Sequence, residues 1–315
     1  MRKWKEGKRS TTTPVAETRR KEATTRPPKT ENILFIGSEF EYQSFWLQMM
    51  FIGAAYRVGS VGALFRPCDR LTIAYVDYGY SFLEKLSIEQ LGKQENTRIV
   101  ALASQSDLVS CFNSDRNTFK IQDMAFFCHG LPKKIDLNYN NSPQIRVGTH
   151  TLTQFDRSVF MAGGKIYSYA CRTGNASLPW QNSFSSDDDV HPEQSLAQQL
   201  SDHFSVEVHA FLRRTNYGAV LRERSDSTRI SATLRAGRQA HGDLDVIDIP
   251  PEHEALPHPG LANSGFDIGP FESGPIGEGT DNFALWRKAG GLDLPVAGDT
   301  PTGLSAPMRR FRPNS

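Results

Sequence analysis

Between about residues 31 and 217, short apolar runs alternate with stretches of helical period. The runs cover 33–36, 71–76, 98–103, 123–129, 166–171 and 205–211, and most are apolar on both faces. That is the pattern of strands in a parallel sheet covered on both sides. Between them, 149–161 places Leu152, Phe155, Val159 and Phe160 on one helical stripe. Residues 192–204 begin with Pro192 and space Leu196, Leu200 and Phe204 four apart. Residues 38–56, rich in Phe, Trp and Met, read as a helix buried on most sides, and Ser87 with Gln90 has the spacing of a capping box. Strand–helix–strand repeated five times predicts an α/β domain. Its sheet would be six-stranded and mainly parallel, flanked by helices and joined by right-handed crossovers.

The ends have a different texture. Residues 1–30 carry ten Lys/Arg against three Glu and almost nothing apolar, which reads as a basic disordered arm. In residues 241–315, 21 of 75 positions are Gly or Pro and acids outnumber bases eleven to five. Such chain buries too little apolar surface to offset its ordering entropy. The expected organisation is therefore an arm over 1–30, a domain over 31–221 and a disordered acidic tail over 222–315. The two charged ends cancel to a net charge of +1, which excludes a globally electrostatic nucleic-acid binder.

Chemistry in such sheets gathers beyond the carboxyl ends of the strands, and two ends stand out. One run ends Phe127-Cys128-His129-Gly130 and the next ends Ala170-Cys171, with Gly174 three residues on. If these strands are neighbours, their ends lie about 5 Å apart, close enough for an imidazole and a thiol to act as a dyad. His129 would handle the thiol proton, Cys171 would attack a carbonyl, and the backbone N–H groups of Gly130 and Cys171 would face the oxyanion.

The four cysteines are irregularly spaced and include no C-x-x-C pair, so neither a disulfide scaffold nor a common zinc module is expected. Cys68 and Cys111 read as ordinary thiols, and Cys128 has no assigned role. His253 and His258 sit one residue off the zinc-protease spacing, with Pro257 between them, so they are set aside. The turn after the first strand, Gly37-Ser38-Glu39-Phe40-Glu41, puts two acids where a nucleotide phosphate would sit, which argues against a dinucleotide-binding domain.

His-Gly after one apolar strand and Ala-Cys-Arg-Thr-Gly after the next resemble the caspase-like (clan CD) cysteine peptidases, and among them most closely the CHAT-domain proteases. The resemblance covers roughly residues 31–217 and is sharp only at the two strand ends. It implies a three-layer fold, a thiol endopeptidase with His129 and Cys171 as its dyad, and an oxyanion hole at Gly130 and Cys171. It implies no metal or organic cofactor. The Tyr-Ser-Tyr run before Ala170 departs from the family pattern, and no caspase-like arginine set aligns. Arg213 and Arg214, after the sixth strand, are the candidates for binding an acidic substrate side chain. The expected partner is a protein or peptide substrate, with room for an activating protein and none for nucleic acid. The expected location is the cytoplasm, or outside the cell after delivery without a classical signal peptide, and no run is long enough to span a membrane. The competing reading is an inactive α/β scaffold or interaction module.

Overall fold

The apolar run at 33–36 lies at the centre of the molecule because its side chains alternate between two cores. Leu34 and Ile36 enter one, Ile33 and Phe35 the other, and all four are fully buried. In the computed structural model, which describes residues 27–40, 50–61, 64–80, 85, 88–89, 92, 95–217 and 294–314, this run is part of β1 (Lys29–Ile36). Six further strands complete the central sheet: β2 (Arg70–Val76), β3 (Thr97–Leu102), β4 (Phe119–Phe127), β8 (Phe160–Ser168), β9 (Glu207–Ala210) and β12 (Arg309–Phe311). Their order is β12-β9-β8-β4-β1-β2-β3, and only β12 runs antiparallel to its neighbour.

Helix α1 (Met50–Val61) contributes Phe51, Ile52, Ala54 and Ala55 to one core. Helices α2 (Gln105–Asn113) and α3 (Leu196–Phe204) contribute Leu108, Phe112, Leu196 and Leu200 to the other. Both faces of the sheet are thus covered, as its apolar strands require. Ser104 and Ser195 cap α2 and α3 by accepting from the N–H groups of Asp107 and Gln198.

All six expected strands are present, and α3 falls within the expected 192–204, preceded by a 3-10 turn at Pro192–Gln194. Helix α1 overlaps the end of the expected 38–56 and runs on to Val61, but residues 38–40 are not helical, and 41–49 lie outside the described residues. The capping box at Ser87 and Gln90, the basic arm through residue 26 and the tail over 218–293 also lie outside them.

Two expectations are corrected. Residues 149–161 are not a helix but a 3-10 turn (Leu152–Gln154) followed by the start of β8. Thr151 Oγ1 accepts from the Gly148 N–H and Asp156 Oδ1 from the Ser158 N–H. These local bonds compete with helix formation, while Leu152, Phe155 and Val159 still pack into the core as loop residues. The sheet, moreover, has seven strands instead of six, because residues 294–314 are folded. β11 (Val296–Ala297) pairs with β10 (Thr215–Asn216), and β12 closes the sheet edge on β9. Leu294, Val296, Leu304, Met308 and Phe311 are buried there, enough apolar area to order a segment rich in Gly and Pro.

The strand order brings the carboxyl ends of β8, β4 and β1 side by side. The chain steps from β1 outward to β3, returns to β4 beside β1, and then steps the other way to β8 and β9. The reversal falls between β1 and β4, where a doubly wound sheet opens a crevice beyond its carboxyl ends.

Candidate active site

β4 and β8 are parallel neighbours, with Phe126 paired to Ser168. His129 and Cys171 each lie three residues beyond that pair, so the register itself carries imidazole and thiol to the same rim. Tyr169 N–H continues the ladder to the Phe126 carbonyl. Both side chains line one open cleft of about 180 Å³, together with Gly130, Leu131, Tyr139, Arg172, Pro179 and Arg214.

His129 opens a small antiparallel sheet formed by β5 (His129–Leu131), β6 (Lys134–Asp136) and β7 (Arg146–Gly148). Its ring lies edge-on to Phe51, with centroids 5.2 Å apart, and against Tyr139 at 4.8 Å. Its Nε2 is 2.7 Å from Glu39 Oε2, and Glu39 is fully buried. Three adjacent strands, β1, β4 and β8, therefore deliver Glu39, His129 and Cys171 at their carboxyl ends.

Cys171 sits in a tight turn pinned by its backbone. Arg172 N–H donates to the Arg213 carbonyl, Gly174 N–H to the Phe211 carbonyl, and Thr173 Oγ1 to the Ala170 carbonyl. Arg172 has φ +57, a left-handed conformation that costs a non-glycine residue on the order of 1–3 kcal/mol. Its guanidinium is buried and bonds only neutral oxygens, those of Pro179, Leu178 and Ser177. Burial, with Arg214 nearby, lowers its pKa to about 10.

The Cys171 thiol accepts from the Thr215 N–H at 3.2 Å. Burial pushes its pKa up, against the pull of that N–H and the Arg214 charge. That direction disfavours the thiolate relative to an ordinary cysteine. Gly130 packs directly on this turn. A Cβ there would lie 2.7 Å from the Cys171 carbonyl oxygen and 2.8 Å from both Cys171 N and Ala170 Cβ. Only glycine lets the two strand ends meet this closely.

Of the two candidate arginines, Arg214 lines the cleft and Arg213 does not. The Arg213 guanidinium donates to the Leu304 carbonyl of the returning segment. Arg213 lies in the bend before β10, and its guanidinium is held by the returning segment on the side away from the cleft lining. Cys128 is fully buried and its pKa lies well above that of an ordinary thiol, chiefly through burial. Burial likewise raises the pKa of Cys111 to about 12 and raises that of Cys68. Among the described residues no group of three or more His, Cys, Asp or Glu side chains is placed to hold a metal, and no helix is long and apolar enough to cross a membrane.

Sequence reading missed Glu39 and Tyr217. Tyr217 Oη accepts from the Cys128 N–H and donates to the Tyr169 carbonyl, tying the two strand ends together from the loop after β10. Both contacts join residues at least 48 positions apart, so no local pattern announces them. The only available signal was an acidic residue at the end of the first strand.

No protein-family model, curated protein or solved structure matches this chain.

Proposed function

We propose that the domain is a cysteine endopeptidase of the caspase-like type, with Cys171 as nucleophile and His129 as proton shuttle. The observation that carries this reading is the register of β4 and β8, which sets both side chains on one cleft at the carboxyl edge of the sheet. As Cys171 Sγ attacks a peptide carbonyl carbon, its proton passes to His129. The oxyanion that forms faces the neighbouring backbone amides of Gly130 and Cys171. The C–N bond then breaks, the imidazolium protonates the leaving amine, and a thioester remains on Cys171. Water attacks the thioester and gives its proton to His129, which returns it to the departing sulfur and leaves the product carboxylate.

The cleft favours an acidic substrate side chain before the cleaved bond. Arg214 faces it without an ion-pair partner among the described residues, and Arg172 is paired only with neutral oxygens. Two guanidinium groups on one cleft, Arg172 buried and Arg214 exposed, favour a carboxylate.

The test is hydrolysis of a diverse peptide pool by the wild-type chain and by Cys171→Ala, with new amino termini read by mass spectrometry. Cleavage by wild type alone, enriched after Asp or Glu, supports the proposal. An identical product set from both proteins, or no products from either, would leave the α/β domain as a scaffold.

A further inference from the structure

We infer that Glu39 is a positioning residue for His129, setting which ring nitrogen carries the proton. This role rests on the peptidase reading above. The carboxylate is fully buried, and Glu39 Oε2 lies 2.7 Å from His129 Nε2. An ionised carboxylate only accepts hydrogen bonds. Nε2 therefore holds a hydrogen, and the lone pair stays on Nδ1, the nitrogen left to exchange a proton with Cys171. Once the ring is protonated, the same carboxylate stabilises the imidazolium.

The segment bearing Glu39 is fixed as a positioning group must be. Gly37 N–H donates to the Phe127 carbonyl, and Tyr80 Oη donates to the Gly37 carbonyl. Ser38 N–H donates to the Leu137 carbonyl, and Ser38 Oγ bonds Asn138 Oδ1. Gly37 itself lies so close to β4 that a Cβ there would sit 2.5 Å from Cys128 Cβ. The exit of β1 is thus locked onto the exit of β4, and Phe51 and Tyr139 limit rotation of the imidazole. The acid that argues against a phosphate site after the first strand acquires a use of its own.

Two measurements test this on the full-length chain. The first is long-range ¹H–¹⁵N correlation of histidine rings at a pH where His129 is neutral, assigned with His129→Gln. The expected spectrum shows the Nε2–H tautomer in wild type. An Nδ1–H tautomer would overturn the inference, because it would mean that a protonated Glu39 donates to Nε2. The second is kinetics of Glu39→Gln, which keeps the shape of the side chain and removes its charge. The expected change is a fall in kcat of roughly 10²-fold or more, with KM within about threefold of wild type. A folded Glu39→Gln that retains wild-type kcat would overturn the positioning role while leaving the peptidase intact. A wild-type protein without Cys171-dependent cleavage would instead refute the parent reading, and this role with it. If Glu39→Gln fails to fold, the wild-type tautomer decides alone.

Discussion

Gly130→Ala tests the close approach of the two strand ends. The added methyl would meet the Cys171 carbonyl oxygen at 2.7 Å and Cys171 N and Ala170 Cβ at 2.8 Å. None of these is the free end of a flexible side chain. Ordinary contact begins near 3.4 Å, so β5 and the Cys171 turn must separate by about 0.7 Å. Overpacking of this kind costs about 1–3 kcal/mol, and with rigid neighbours the upper end applies. For a domain of this size that is a fall in Tm of roughly 6–12 °C. A displacement approaching 1 Å in a reacting pair costs up to about 10²-fold in rate, so kcat/KM should fall between about tenfold and 10²-fold. Gly148→Ala, whose Cβ would come no closer than 3.3 Å to any atom, is the control in the same small sheet. Calorimetry and peptide hydrolysis on both variants give the comparison. Gly130→Ala with Tm within about 2 °C and kcat/KM within about twofold of wild type would refute the packing argument.

The returning segment should be structural. Phe311→Ala removes a buried ring that closes over Gly174 in the same core as Leu212 and should cost about 3–5 kcal/mol in urea unfolding, with little effect if the segment were merely draped on the surface. Glu31, buried at the opposite end of β1, bonds Arg70, Thr72 and Arg116. Arg116→Ala leaves part of that charge uncompensated and should cost about 3–5 kcal/mol by the same assay. The hydrogen bond from His209 holds the Glu207 pKa at about 2, below its ordinary 4.5, with Lys165 assisting. A depressed carboxylate stabilises the fold above its unfolded pKa and loses that contribution as pH falls through the folded one. Tm should therefore decline between about pH 4.5 and pH 2, and the decline should be shallower in Glu207→Gln.

β1, β2 and β4 were legible because burial on both faces leaves apolar runs, edge strand β3 because Ile99–Leu102 is apolar although part-exposed, and the carboxyl ends of β4 and β8 marked His129, Gly130 and Cys171. β12 was not legible, since Arg309-Arg310-Phe311 is short, charged and at the sheet edge, with one buried ring as its signal. The helix expected over 149–161 failed for the opposite reason. Its apolar spacing fits a helix, but Thr151 and Asp156 bond their own backbone into turns. Arg213 and Arg214 could not be told apart, because which of two adjacent side chains faces a cleft depends on a segment returning from almost a hundred residues away. Glu39 was visible as an acid out of place for phosphate, but its contact with His129 spans 90 positions and exists only through the β1–β4 pairing.

Whether Cys171 and His129 act together is read by mass-spectrometric mapping after a brief exposure to a peptidyl acyloxymethyl ketone with Asp next to its warhead. The expected product is a single thioether on Cys171, formed far more slowly in His129→Ala, with Cys68, Cys111 and Cys128 unmodified. Equal labelling of Cys171 and Cys68, or a rate at Cys171 indifferent to His129→Ala, would contradict it.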